Sequence, residues 1–140
     1  MEQERPYTKV LEQLKAVGLR PTRQRMALAK LLLDGGNCHV TAEQLHSEAS
    51  KASVRVSLAT VYNTLHQFVD AGLLREVMVD PGRSYFDTNT EDHHHFFDQS
   101  EARLIDIADD AINLGSIPAP PEGTSVDRVD VIIRVNKVDE

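Results

Sequence analysis

The chain has 140 residues, 41% of them hydrophobic, and a formal charge of -7, so it holds enough apolar mass for a folded core and is not a disordered tail. A single cysteine, Cys38, excludes an internal disulfide and a zinc site built on several thiolates, so any metal must be held by nitrogen and oxygen. The sequence lacks both a run of 18 or more apolar residues and the basic-then-apolar order of a secretory signal, which predicts a soluble, cytoplasmic protein with no membrane partner.

Val10, Leu11, Leu14 and Val17 make the stripe of a first helix, which Gly18 can close before Pro21. Thr22 is placed to cap a second helix through Met26, Ala29, Leu32 and Leu33, ending at Gly35-Gly36. Arg20, Arg23 and Arg25 cluster at its start, an arrangement that suits a DNA backbone and equally suits a solvated surface. Thr41-Ala-Glu-Gln44 has capping-box spacing and opens a third helix with Leu45 and Ala49 inside.

The fourth helix is the best marked. Ser57 stands at its N-cap and Gly72 just past its last turn, and Leu58, Val61, Leu65, Phe68 and Val69 fall on one stripe. Thr60, Tyr62, Asn63, His66 and Gln67 then face outward, a surface short of charge but rich in hydrogen-bonding groups, as reading base edges requires. A short helix, a connection and a polar-faced helix have the outline of a helix-turn-helix. Leu73 to Val79 and Ser84 to Asp87 read as two strands around the turn Asp80-Pro81-Gly82, so a hairpin over about 73–87 follows as a wing.

Residues 1–83 carry eleven Lys/Arg against nine Asp/Glu, a balance of +2, whereas residues 84–140 carry four against thirteen, a balance of -9. The asymmetry predicts two modules: a winged-helix DNA-binding domain over 1–88 and a small α/β domain over 89–140, making the whole α+β. In the second, His94 to Asp98 and Arg103 to Ala108 read as short strands and Asp109 to Leu114 as a turn of helix. The proline-rich stretch 117–123 is a surface connection, and Val129 to Val135 alternates like a half-buried strand. So small a sheet needs a second copy to cover its apolar face, which predicts a homodimer or a higher oligomer.

Asp92-His93-His94-His95-Phe96-Phe97 is the chemically distinctive segment. On a strand His93 and His95 share one face and His94 takes the other, so the first and third can chelate one ion. Asp87 precedes them, Asp106 lies on the next strand and His39 lies far back beside Cys38; imidazole with carboxylate suits iron, manganese or zinc. The same histidines followed by two phenylalanines also admit haem, which needs an imidazole ligand and apolar surface, and they admit a surface cluster with incidental metal affinity.

HVTAEQLH at 39–46, SLATVYNTLHQFVDAGLL at 57–74, YFD at 85–87 and DHHH at 92–95, in this order, resemble the ferric uptake regulator family across nearly the whole chain. The segment DHHHFFDQSEARLIDI, 92–107, is most similar to the iron response regulator branch. The resemblance implies an N-terminal winged helix and a C-terminal dimerisation domain. It carries the reading-helix tyrosine onto Tyr62 and the regulatory metal ligands onto His39, Asp87, His93, His95 and Asp106. The position after the tyrosine is Asn63, where many relatives have arginine, and asparagine pairs bidentately with adenine, which agrees with AT-rich targets. The family's CxxC zinc ligands fall at Asp98 and Glu101, and the Cys-Pro haem motif is absent, so the structural zinc is expected to be missing and haem would have to use His93, His94 or His95.

The expectation is therefore an iron- or haem-responsive repressor of the genes of haem synthesis and iron homeostasis. As a dimer it binds AT-rich palindromic double-stranded DNA through Arg20, Arg23, Arg25, Ser57, Thr60, Tyr62 and Asn63, and haem lowers its affinity. The alternative within the family is a manganese- or ferrous-iron-dependent repressor acting when metal is abundant. A metal-buffering protein and a metalloenzyme are the readings from other classes; the second lacks an evident substrate pocket, nucleophile constellation or phosphate loop.

Overall fold

The structure, a computed structural model, describes residues 7–34, 38–91, 93–108 and 110–139. They fall into two compact units, Met1–Thr90 and Glu91–Glu140.

The first unit holds four helices, α1 (Thr8–Ala16), α2 (Arg23–Leu33), α3 (Ala42–Lys51) and α4 (Leu58–Asp70), and three strands, β1 (His39–Val40), β2 (Arg75–Asp80) and β3 (Arg83–Asp87). Local sequence sets the helix starts. Thr22 accepts the Arg25 N–H, Thr41 and Gln44 form a complete capping box, and Ser57 accepts the Thr60 N–H. Past α1 and α4, Gly18 and Gly72 adopt φ of 77° and 85°, a conformation that a side chain disfavours. Gly35-Gly36, the expected end of α2, lies outside the described residues.

The inner faces of the helices meet in one core that includes Leu14, Leu28, Leu32, Leu45, Val61, Leu65, Phe68 and Phe86, each no more than 1% exposed. Within α4 one expectation fails: Leu58 is 37% exposed, and Thr64 takes an inner place instead. Position 58 keeps the phase of the stripe but sits in the first turn, at the end of the buried stretch, whereas 64 lies mid-helix three residues after Val61, on the flank of the same face.

The wing begins two residues later than its apolar pattern, at Arg75, and turns at Pro81-Gly82 with Gly82 at φ 81°. A third strand was not legible in the sequence: β1, two residues long, pairs antiparallel with β3, placing His39 opposite Asp87.

The second unit is a three-stranded sheet in the order β5-β4-β6, from β4 (His95–Asp98), β5 (Arg103–Asp106) and β6 (Ile132–Val135). β4 and β5 form an antiparallel hairpin, while β6 lies parallel to β4 with Phe96 opposite Ile133. The expected turn of helix over Asp109 to Leu114 is not found: Asp109 is outside the described residues and 110–114 are not helical. The last strand is shorter than its alternation, starting at Ile132. Val131 and Val135 are half-buried, as the alternation predicts, whereas Val129 and Ile133 are 37% and 39% exposed.

Candidate functional sites: a reading face on α4 and two sets of metal donors

On α4, Asn63 and Gln67 are exposed one turn apart beside a cleft of about 440 Å³, whose lining also includes Arg20, Thr22, Arg25 and Thr60. The connection before α4 is tied back to α3, since the His46 ring bonds the Val56 carbonyl at 3.1 Å. Ser57 caps the helix as its sequence position predicts, its Oγ accepting the Thr60 N–H at 3.1 Å and donating to Thr60 Oγ1 at 2.9 Å, so the Thr60 hydroxyl, expected to face outward, is also engaged in the first turn.

Tyr62 is held from two sides. Its hydroxyl donates to Glu43 Oε1 at 2.7 Å, and this bond, ahead of a smaller effect of burial, raises the phenol above its ordinary pKa. Its ring stacks at 6.5 Å on His66, which meets Phe86 of the wing edge-on at 5.7 Å. Tyr62 is thus tied to α3 through its hydroxyl and, by way of the His66 ring, linked to the wing.

Of the three arginines, Arg20 and Arg23 are exposed. Arg25 is not simply offered to solvent: its Nε and Nη2 donate to Gln67 Oε1 at 3.1 and 3.0 Å, and its Nη1 to the Arg20 carbonyl at 2.9 Å. No local pattern pairs positions 25 and 67; only the tertiary fold of this unit brings them together.

Potential metal donors occur in both units. In the first, His39 Nε2 lies 3.0 Å from Asp87 Oδ2, and Asp87 Oδ1 accepts the Asn89 N–H at 2.8 Å. Asp87 is 1% exposed and stands opposite His39 on one side and the buried Arg75 on the other. Arg75 went unnoticed in the sequence although a signal existed: it is in phase with the inward-facing Val77 and Val79. Beside them, burial pushes the Cys38 thiol above its ordinary pKa, a bond with Thr88 opposing.

In the second unit β4 begins at His95, with His93 in the segment just before it, and Asp106 stands opposite His95 on β5. Asp106 Oδ1 is 2.8 Å from His93 Nε2 and 3.3 Å from His95 Nε2, and the two rings are 4.4 Å apart. His93 Nδ1 contacts the Glu91 carbonyl at 2.6 Å; as an N–H donor there it leaves the Nε2 lone pair for an ion, the usual support of a ligating histidine. Two imidazole nitrogens and one carboxylate oxygen within 4.8 Å of one another fit iron, manganese or zinc.

His94 is turned the other way, its Nδ1 accepting the Val131 N–H at 3.0 Å. The haem expectation gains nothing from this arrangement. His93 and His95 are 7% and 2% exposed, aimed at one carboxylate, and Phe97, 1% exposed, packs in the sheet rather than offering a face to a macrocycle. At the position of the family's first CxxC cysteine, Asp98 Oδ1 accepts the N–H groups of Ser100 and Glu101 and closes the β4–β5 turn.

The model of the Ferric uptake regulator family matches residues 16–126. The ferric uptake regulation protein of Klebsiella pneumoniae is 34% identical over 102 residues, 72% of this chain and 66% of that protein. The peroxide-responsive repressor PerR of Staphylococcus aureus is 32% identical over 94 residues, 67% of this chain and 63% of that protein. The matched segment thus spans about two thirds of the length of these curated relatives. Among solved structures, the ferric uptake regulator of Vibrio cholerae superposes with a TM-score of 0.73 at 24% identity, covering 91% of this chain and 99% of that one, a likeness of fold.

Proposed function

Because this chain belongs to the ferric uptake regulator family, we propose that it is a metal-responsive transcriptional repressor, acting in the cytoplasm as a homodimer on double-stranded DNA. The observation that carries the metal part is the convergence of His93 and His95 on Asp106 in the second unit, and the first unit carries a donor pair of its own, His39 and Asp87. On the strength of the family resemblance we take all five residues as ligands for divalent metal. A bound ion supplies positive charge among carboxylates and restrains the elements that provide its ligands, which couples metal occupancy to DNA affinity by linkage.

In this reading α4 enters the major groove, Asn63 pairing with adenine in AT-rich palindromes and Tyr62 contacting bases from the position Glu43 and His66 give it. Arg20 and Arg23 meet phosphates, with Ser57 and Thr60 at the helix start beside them. A metal-abundance repressor fits the two-histidine, one-carboxylate geometry best. The iron response reading, in which haem lowers DNA affinity, rests on the resemblance of residues 92–107 alone.

The test is a DNA titration with metal-free, manganese-loaded and haem-loaded protein, on a duplex the protein enriches from a random pool. Manganese is expected to tighten binding by at least roughly fivefold, the low end of ordinary coupling. Equal affinity of metal-free and manganese-loaded protein overturns the metal coupling, and loosening by haem favours the iron response branch.

A further inference from the structure

We infer that Arg25 is a strut between the segment before α2 and the reading helix α4, and that Gln67 is the positioning residue that holds it. This rests on the DNA-reading role proposed above for α4. Three of the five guanidinium N–H donors are spent inside the molecule, two on the single acceptor Gln67 Oε1 and one on the Arg20 carbonyl. The Arg20 carbonyl also accepts the Thr22 N–H at 2.9 Å, and Thr22 caps the backbone of Arg25 itself at 3.3 Å. Residues 20–25 are therefore closed on themselves and bolted to α4 through one side chain.

The chemistry asks for these two residue types. A planar guanidinium bridges acceptors on two elements at once, which the point charge of a lysine ammonium cannot do in the same geometry. Gln67 lies one turn from Asn63 on the same exposed face, so the bolt enters α4 beside the groups that meet bases. The exposed Arg20 and Arg23 ride on the other end. Phosphate contacts fix the register in which base contacts are made, and a fixed frame between the two sets turns non-specific attraction into discrimination. Arg25 acts on specificity by holding that frame, not by gripping a phosphate.

The experiment uses the full chain and compares affinity for an enriched duplex with that for a scrambled one. Gln67→Met, similar in size but without the acceptor, and Arg25→Lys, which keeps the charge, are each expected to lower the ratio of the two affinities by roughly tenfold. The double variant should be little worse than either single one, because both remove the same bridge. The salt dependence of Gln67→Met should match the parent, since no phosphate contact is lost. Independently of DNA, amide exchange at residues 20–25 should quicken in Gln67→Met and be restored in Gln67→Glu, which supplies the acceptor again. Unchanged discrimination and unchanged exchange in Gln67→Met overturn the strut, as does Arg25→Lys retaining full discrimination. Protein that enriches no duplex overturns the DNA reading instead, and the exchange measurement still decides whether the strut exists.

Discussion

The two units are stabilised by different means. The first closes an apolar core from four helices and β3, and among its described residues Tyr7, Leu58 and Met78 are the large apolar side chains left exposed. The second buries Phe97, Leu104 and Ile107 together with His93 and His95, while Leu114, Ile117, Val126, Val129, Ile133 and Val138 stay exposed. One unit is complete within its own chain. The other buries two imidazoles where a core would be, with the exposed Asp106 at their edge, and leaves apolar side chains exposed. Under the function proposed above, a domain held together by its ligands and a partner copy can respond to both, whereas a domain that reads DNA has to keep its shape when they leave.

The largest effect should come from attacking the self-sufficient core. Phe68→Ala is expected to cost about 3–5 kcal/mol in urea unfolding of the first unit. A cost below about 1 kcal/mol would mean that the core does not carry that unit. Next, His95→Ala should weaken manganese binding by roughly a hundredfold in chelator competition, more than the loss of an outer-shell partner usually does. Binding left intact would remove the His93-His95-Asp106 set as the site.

The partner half of the comparison is sharpened by Ile133→Asp, which puts a charge on the exposed face of β6. Sedimentation should show association weakened by tenfold or more, since burying one such side chain is worth about 1.5–3 kcal/mol. The smallest effect is electrostatic. The Glu43 bond raises the Tyr62 pKa, so the stability it contributes is whole below the ordinary tyrosine value of about 10 and is lost as the pH rises through the raised one. Glu43→Gln should move the Tyr62 midpoint down in carbon NMR of labelled tyrosine; an unmoved midpoint would assign the shift to burial.

Local rules were legible wherever neighbours in sequence are neighbours in space. Thr22, Thr41 and Ser57 cap helices because a side-chain oxygen two or three residues ahead of an orphan N–H needs no tertiary help. His93 and His95, two residues apart, likewise both reach Asp106, although only His95 lies within β4. The apolar pattern overreached at Leu58, Val129 and Ile133, because a period says which side chains share a face and not whether anything covers it.

Sequence by itself determined the four helices, the wing hairpin, the pairing of His93 with His95 and the family pattern that unites them. Tertiary structure alone decided which distant groups meet: β1 set beside β3 so that His39 faces Asp87, Asp106 brought against His93, Tyr62 bonded to Glu43, and Arg25 bound across 42 residues to Gln67. None of these pairs has a spacing signature, because each is fixed by the packing of whole elements, and side-chain chemistry only selects what happens once they touch.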